Sequence, residues 1–124
     1  MSAAAPILVV DDSDDAQEFL SSTLTDAGFG VLQARDGREA LAMLVDKAAA
    51  PRLVIVDLIM PVMNGAELVD VLHCYKRLAQ IPVLMVSGAD LPEALRPPGA
   101  RYLKKPFDEE ALLTEVNGLL GQGE

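Results

Sequence analysis

An α/β fold on a parallel sheet is what this sequence predicts, and two observations predict it. Short apolar runs rich in β-branched residues alternate five times with longer stretches of helical spacing, the pattern of strand-helix units around a parallel sheet. Three of those runs are apolar without a break, as central parallel strands covered by helices on both faces should be. The 124 residues suit one such domain, with a core over about residues 5–120, and are too few for a second domain with its own core.

Taken in order, Ile7 to Val10, Val31 to Ala34, Leu53 to Val56, Val83 to Val86 and Arg101 to Leu103 are the expected strands. The second and fifth are weaker in apolar content and belong nearer an edge. Between the first two strands, Phe19, Leu20, Leu24 and Ala27 share a helical face, which Gly28 closes in the position of a C-cap. Ala40, Leu41, Leu44 and Val45 define the second helix, and Leu68, Val71, Leu72, Tyr75 and Leu78 the third. The last helix starts on Asp108 as N-cap, with Phe107 and Leu112 spaced for a hydrophobic staple, and buries Leu112, Leu113, Val116, Leu119 and Leu120. It runs out in Gly121, Gln122 and Gly123, a frayed tail or the start of a linker. One unit is irregular. Asp90 to Gly99 contains Pro92, Pro97 and Pro98, and the last two cannot continue a helix interior, so the fourth connecting helix should be shortened or absent.

Composition removes several classes of function. A formal charge of -9 opposes binding to a nucleic-acid backbone, which depends on Lys and Arg contacts. No apolar run approaches the roughly 20 residues needed to cross a bilayer, and no basic region precedes the short apolar N-terminal stretch. A cytoplasmic protein with no membrane insertion is expected. Cys74 is the single cysteine, so no internal disulfide can form, which suits a reducing compartment. Cys74 and His73, on a helix without an evident partner, read as packing or surface residues rather than as a nucleophile and a phosphate carrier.

In an open α/β sheet, ligands collect beyond the carboxyl ends of the strands where strand order reverses. Strand one ends in Asp11 and Asp12, strand three in Asp57 and strand four in Ser87, while strand five runs into Lys105 before Pro106. Period-two alternation and the adjacent Pro106 favour Lys105 over Lys104 as the inward ammonium. Two unit charges about 4 Å apart repel by roughly 4 kcal/mol at an effective dielectric near 20, so three gathered carboxylates require a cation. Hard oxygen donors with room for water and phosphate select Mg²⁺, or Mn²⁺ as a substitute. An ionised carboxylate is already a nucleophile and needs no general base.

Four ordered motifs then carry a family resemblance: Leu8-Val9-Val10-Asp11-Asp12, Asp57-Leu58-Ile59-Met60-Pro61-Val62-Met63-Asn64-Gly65, Ser87-Gly88-Ala89 and Lys105-Pro106-Phe107. Together they resemble the receiver domain of bacterial two-component response regulators, of single-domain type, over essentially the whole chain. The resemblance implies a flavodoxin-like doubly wound five-stranded parallel sheet of order 2-1-3-4-5 and a cis Lys105–Pro106 bond. It implies Asp57 as phosphoacceptor, Asp11 and Asp12 as the acidic metal pocket with Asp12 the more direct ligand, and the main-chain carbonyl of Ile59 as a further ligand. Ser87 and Lys105 would sense the phosphoryl group, and Tyr102 would be the aromatic switch, plain edge packing being its other reading. The implied partners are a histidine kinase or histidine phosphotransfer protein and a downstream protein, and the only reactions catalysed are the chain's own phosphorylation and dephosphorylation.

Two departures from the family pattern stand out. The short fourth connection reshapes a segment that partners normally read. Ile59 and Ala89 occupy places where fast-hydrolysing members carry polar residues, so slow self-dephosphorylation is expected. Two other readings compete: a haloacid-dehalogenase-like phosphohydrolase using Asp12-Ser13-Asp14, for which the chain lacks room for the usual cap, and a pseudo-receiver that binds without phosphate.

Overall fold

The computed structural model describes residues 5–45, 50–57, 65–88 and 100–121. Five strands, β1 (Ile7–Val10), β2 (Val31–Ala34), β3 (Leu53–Asp57), β4 (Val83–Ser87) and β5 (Ala100–Lys104), form one parallel sheet in the order β2-β1-β3-β4-β5. Among the described residues five helices accompany them: α1 (Asp14–Asp26), α2 (Gly37–Val45), α3 (Gly65–His73), α4 (Lys76–Ala79) and α5 (Glu109–Gly121). Order reverses between β1 and β3, because the chain steps outward to β2 and returns on the other side of β1.

Apolar side chains, most of them β-branched, fill the central strands, whose residues Ile7–Val10, Leu53–Val56 and Val83–Val86 are all buried. Alternation then splits them between two cores. Leu8, Val10, Val54, Val56 and Met85 face Ala40 and Leu44 of α2, Leu68, Val69 and Leu72 of α3, and Leu78 of α4. Ile7, Val9, Leu53, Ile55, Leu84 and Val86 face Leu20 and Leu24 of α1 and Leu112, Val116 and Leu119 of α5. The outer strand β2 buries only Ala34 fully, as its weaker pattern suggested.

Helix ends follow local chemistry. Ser13 caps α1, its hydroxyl accepting from the Ala16 N–H at 3.2 Å, with Asp14 and Asp15 in the favourable first turn. At the other end Gly28 adopts φ +97°. The N–H groups of Gly28 and Phe29 donate to the carbonyls of Thr25 and Leu24, both at 3.0 Å, which completes a Schellman motif. Asp108 caps α5 as expected, accepting from the Ala111 N–H at 2.8 Å, and Phe107 packs in the same core as Leu112.

Some expectations on helix faces fail. The third apolar stripe is not one helix. Cys74 and Tyr75 close α3 with N–H bonds to carbonyls three residues back, Tyr75 turns extended, and α4 restarts from it. That re-phasing lets Leu78 bury while Tyr75 stays 52% exposed. Val45 and Phe19, placed on buried faces by spacing, are also exposed. The fourth connection falls on residues 89–99, outside the described residues. Among the described residues no helix is long and apolar enough to cross a membrane.

Candidate functional site

The carboxyl ends of β1, β3 and β4 lie side by side, the register pairing Val10 with Val56 and Asp57 with Val86. Residues that end those strands are therefore neighbours by construction. Asp11 is fully buried, Asp57 half-buried and Asp12 exposed. One carboxylate oxygen from each lies within 4.8 Å of the others. At such separations each pair of negative charges repels by roughly 3 kcal/mol at an effective dielectric near 20, less for the solvated Asp12.

Lys105 supplies the opposing charge. Its ammonium lies 3.5 Å from Asp11 Oδ2 and 3.5 Å from Asp57 Oδ2, bridging the two strand ends. Its main-chain N–H donates to the Ser87 carbonyl at 2.8 Å, extending the β4–β5 ladder by one residue. The bond from Lys105 to Pro106 is cis, as the resemblance implied. Lys104 pairs with Ser87 in register and is exposed, so alternation does point Lys105 toward the acids. Asp11 Oδ1 accepts from the Ser13 N–H at 3.0 Å, which fixes its carboxylate against the start of α1.

Ser87 is buried at the end of β4. Tyr102 lies opposite Met85 in the β4–β5 register and packs, half-buried, against the core that holds Met85. Asp11, Asp12, Asp57 and Lys105 are thus brought together, Ser87 adjoins them through Lys105, and Tyr102 lies along the same edge strand. Ile59, the remaining motif residues Leu58 to Asn64, and Ala89 lie outside the described residues.

Asp14 serves another purpose than the phosphohydrolase reading gave it. Its carboxylate is largely exposed and ion-paired with Arg35, whose guanidinium is raised in pKa by the hydrogen bond and then by the charge of Asp14. His73 is exposed, as is Cys74, whose thiol faces the Asp70 carbonyl. The residue that sequence reading missed is Gln17. It lies on the α1 face of Leu20 and Leu24 and is buried, a polar group on an otherwise apolar stripe, and that anomaly was its only signal.

Hard oxygen donors at this spacing, beside an ammonium, suit a divalent cation and a phosphoryl group. Residues 7–117 match the family model described as response regulator receiver domain. The chain belongs to that family.

This receiver is 35% identical over 122 residues to a chemotaxis protein CheY homolog of Campylobacter jejuni, covering 94% of this chain and 93% of that protein. Identity to the uncharacterized transcriptional regulatory protein YrkP of Bacillus subtilis is 39% over 114 residues, which span 89% of this chain but about half of YrkP, 47%. Among solved structures, chemotaxis protein CheY4 of Vibrio cholerae matches with a TM-score of 0.86 at 37% identity, covering 95% of this chain and all of that one, 100%. The signal receiver domain of a histidine kinase from Syntrophus aciditrophicus matches at 0.87 and 31%, over 96% of this chain and 92% of that one. The receiver therefore has the flavodoxin-like doubly wound fold, and it is a signalling domain of phosphorelay signal transduction. Receivers interact with histidine kinases and downstream effectors, and they bind Mg²⁺.

Proposed function

We propose that this receiver accepts a phosphoryl group on Asp57 from a histidine kinase or histidine phosphotransfer protein and changes partner as a result. The observation that carries the reading is the half-buried Asp57 carboxylate, joined to Asp11 by Lys105 within a three-carboxylate cluster at the strand-order reversal. Asp11, Asp12 and Asp57 would hold Mg²⁺, or Mn²⁺ in its place, with the Ile59 carbonyl as a further ligand. When bound, the cation neutralises the charge that gathers on the phosphoryl oxygens.

The chain's own residues do the rest. An Asp57 oxygen forms a bond to phosphorus as the bond from phosphorus to the donor's imidazole nitrogen breaks, and the electron pair leaves with that nitrogen. Lys105 moves its hydrogen bonds from the two carboxylates toward a phosphoryl oxygen, and Ser87 donates its hydroxyl proton to another. Because Lys105 is bonded through its main chain to Ser87, both contacts act on the β4–β5 edge that carries Tyr102. Catalysis stops at the chain's own phosphorylation and hydrolysis, so no separate substrate turns over. A cytoplasmic setting fits the lone exposed thiol of Cys74.

Incubation with acetyl phosphate and Mg²⁺ should add one phosphoryl group to the intact mass, and the Asp57→Asn protein should gain none. A full-mass gain in Asp57→Asn, with phosphate release that persists in Asp57→Asn and is lost in Asp12→Asn, would return the site to the phosphohydrolase reading.

A further inference from the structure

Under the acidic rim a single carboxamide makes three contacts that no feature of the site described so far explains. Gln17 is 5% exposed. Its Nε2 donates toward the carbonyl of Ala34 at 2.7 Å, of Asp11 at 3.1 Å and of Val9 at 3.3 Å. Two N–H bonds serve three acceptors, so Ala34 takes one and the other two share. The Ala34 carbonyl also accepts the Asp11 N–H at 3.1 Å. One side chain thus holds the carbonyl of Asp11 directly and, through Ala34, the partner of its N–H.

Chemistry fixes which end of the amide points where, since the reverse orientation would set Oε1 against three carbonyl oxygens. In the orientation present, Oε1 is buried without a hydrogen-bond partner among the described residues. A buried acceptor left unpaired is unfavourable. An apolar residue of the same length would avoid that cost and match its neighbours Leu20 and Leu24. The two donors are what such a residue could not supply.

We propose that Gln17 is a positioning residue for the acidic pair: its buried carboxamide locks the end of β1 to the end of β2 and so sets where Asp11 and Asp12 present their carboxylates. The metal-binding part of this role rests on the reading of Asp11 and Asp12 as cation ligands. The clamp itself does not depend on that reading. Outer partners of metal ligands commonly govern affinity by 10–100-fold.

Gln17→Met keeps the length and removes both donors, and Leu24→Ala is a control of the same helix that weakens packing alone. In metal-free protein followed by NMR hydrogen exchange, Gln17→Met should speed exchange of the Asp11 and Ser13 amides by about tenfold or more and leave Ile55 and Leu84 at parent rates. Calorimetric titration with Mg²⁺ should show an affinity lower by at least about tenfold in Gln17→Met and parent affinity in Leu24→Ala. Parent exchange rates at Asp11 and Ser13, or acceleration spread evenly over the sheet, would overturn the positioning role. If Gln17→Met does not fold, Gln17→Asn withdraws the same amide by one methylene, and the same readings decide. A parent chain that takes up no Mg²⁺ would sink the reading of the acidic cluster, while the exchange comparison would still decide Gln17.

Discussion

At their amino ends the strands are closed by main-chain hydrogen bonds: Ile7 N–H to the Gly30 carbonyl at 2.9 Å, Arg52 N–H to Pro6 at 2.9 Å and Val54 N–H to Pro82 at 3.0 Å. At their carboxyl ends β1, β3 and β4 run into Asp11, Asp57 and Ser87, and the groups that meet there are like-charged or buried and polar. At the amino edge these three main-chain N–H groups find their acceptors in the backbone itself. Among the described residues the carboxyl edge gathers three carboxylates beside the Lys105 ammonium. Backbone closure and the acidic cluster therefore lie at opposite ends of the same strands, a spacing of about 13 Å from Leu53 to Asp57 at roughly 3.3 Å per residue.

Three substitutions test that separation. Leu53→Ala, at the fully buried amino end of β3, should cost about 2–5 kcal/mol in urea unfolding while the folded fraction keeps parent Mg²⁺ affinity. Loss of Mg²⁺ binding in that variant would show the two ends are not separable. Gly28→Ala should cost about 1–2 kcal/mol by the same measurement, because φ is +97° while an added Cβ meets nothing within 4 Å, leaving backbone strain as the sole penalty. At the other end the sign should reverse. Asp12→Asn removes one of three clustered charges and should raise metal-free stability by about 1 kcal/mol, with Mg²⁺ no longer adding to it in a thermal melt. A destabilised Asp12→Asn would mean that the carboxyl edge is not under electrostatic strain.

What the sequence disclosed about this molecule followed from local rules. Apolar runs located all five strands, and the polar residue ending each central run marked the site, since strand ends and side-chain alternation are set by the chain itself. Alternation also separated Lys105 from Lys104. The different fates of Asp11 and Asp12 were not legible, because burial of one of two adjacent acids depends on where β1 leaves the sheet and on the Ser13 cap. Nor was the break at Tyr75. No Pro or Gly marks it, and it arises because Leu78 reaches the core only if the helix is re-phased. Gln17 escaped notice because its three acceptors are main-chain atoms, which leave no trace in residue identity.

The alternation along β1 and β3 has a consequence for how such a chain can change over generations. Ile7 and Val9 belong to the core under α1 and α5, while Leu8 and Val10 belong to the core under α2, α3 and α4. Residues on opposite sides of a sheet share few neighbours, so their substitutions should combine additively. Either flank can then drift, repack or acquire a new surface without compensating changes on the other, and both inherit the same acidic edge.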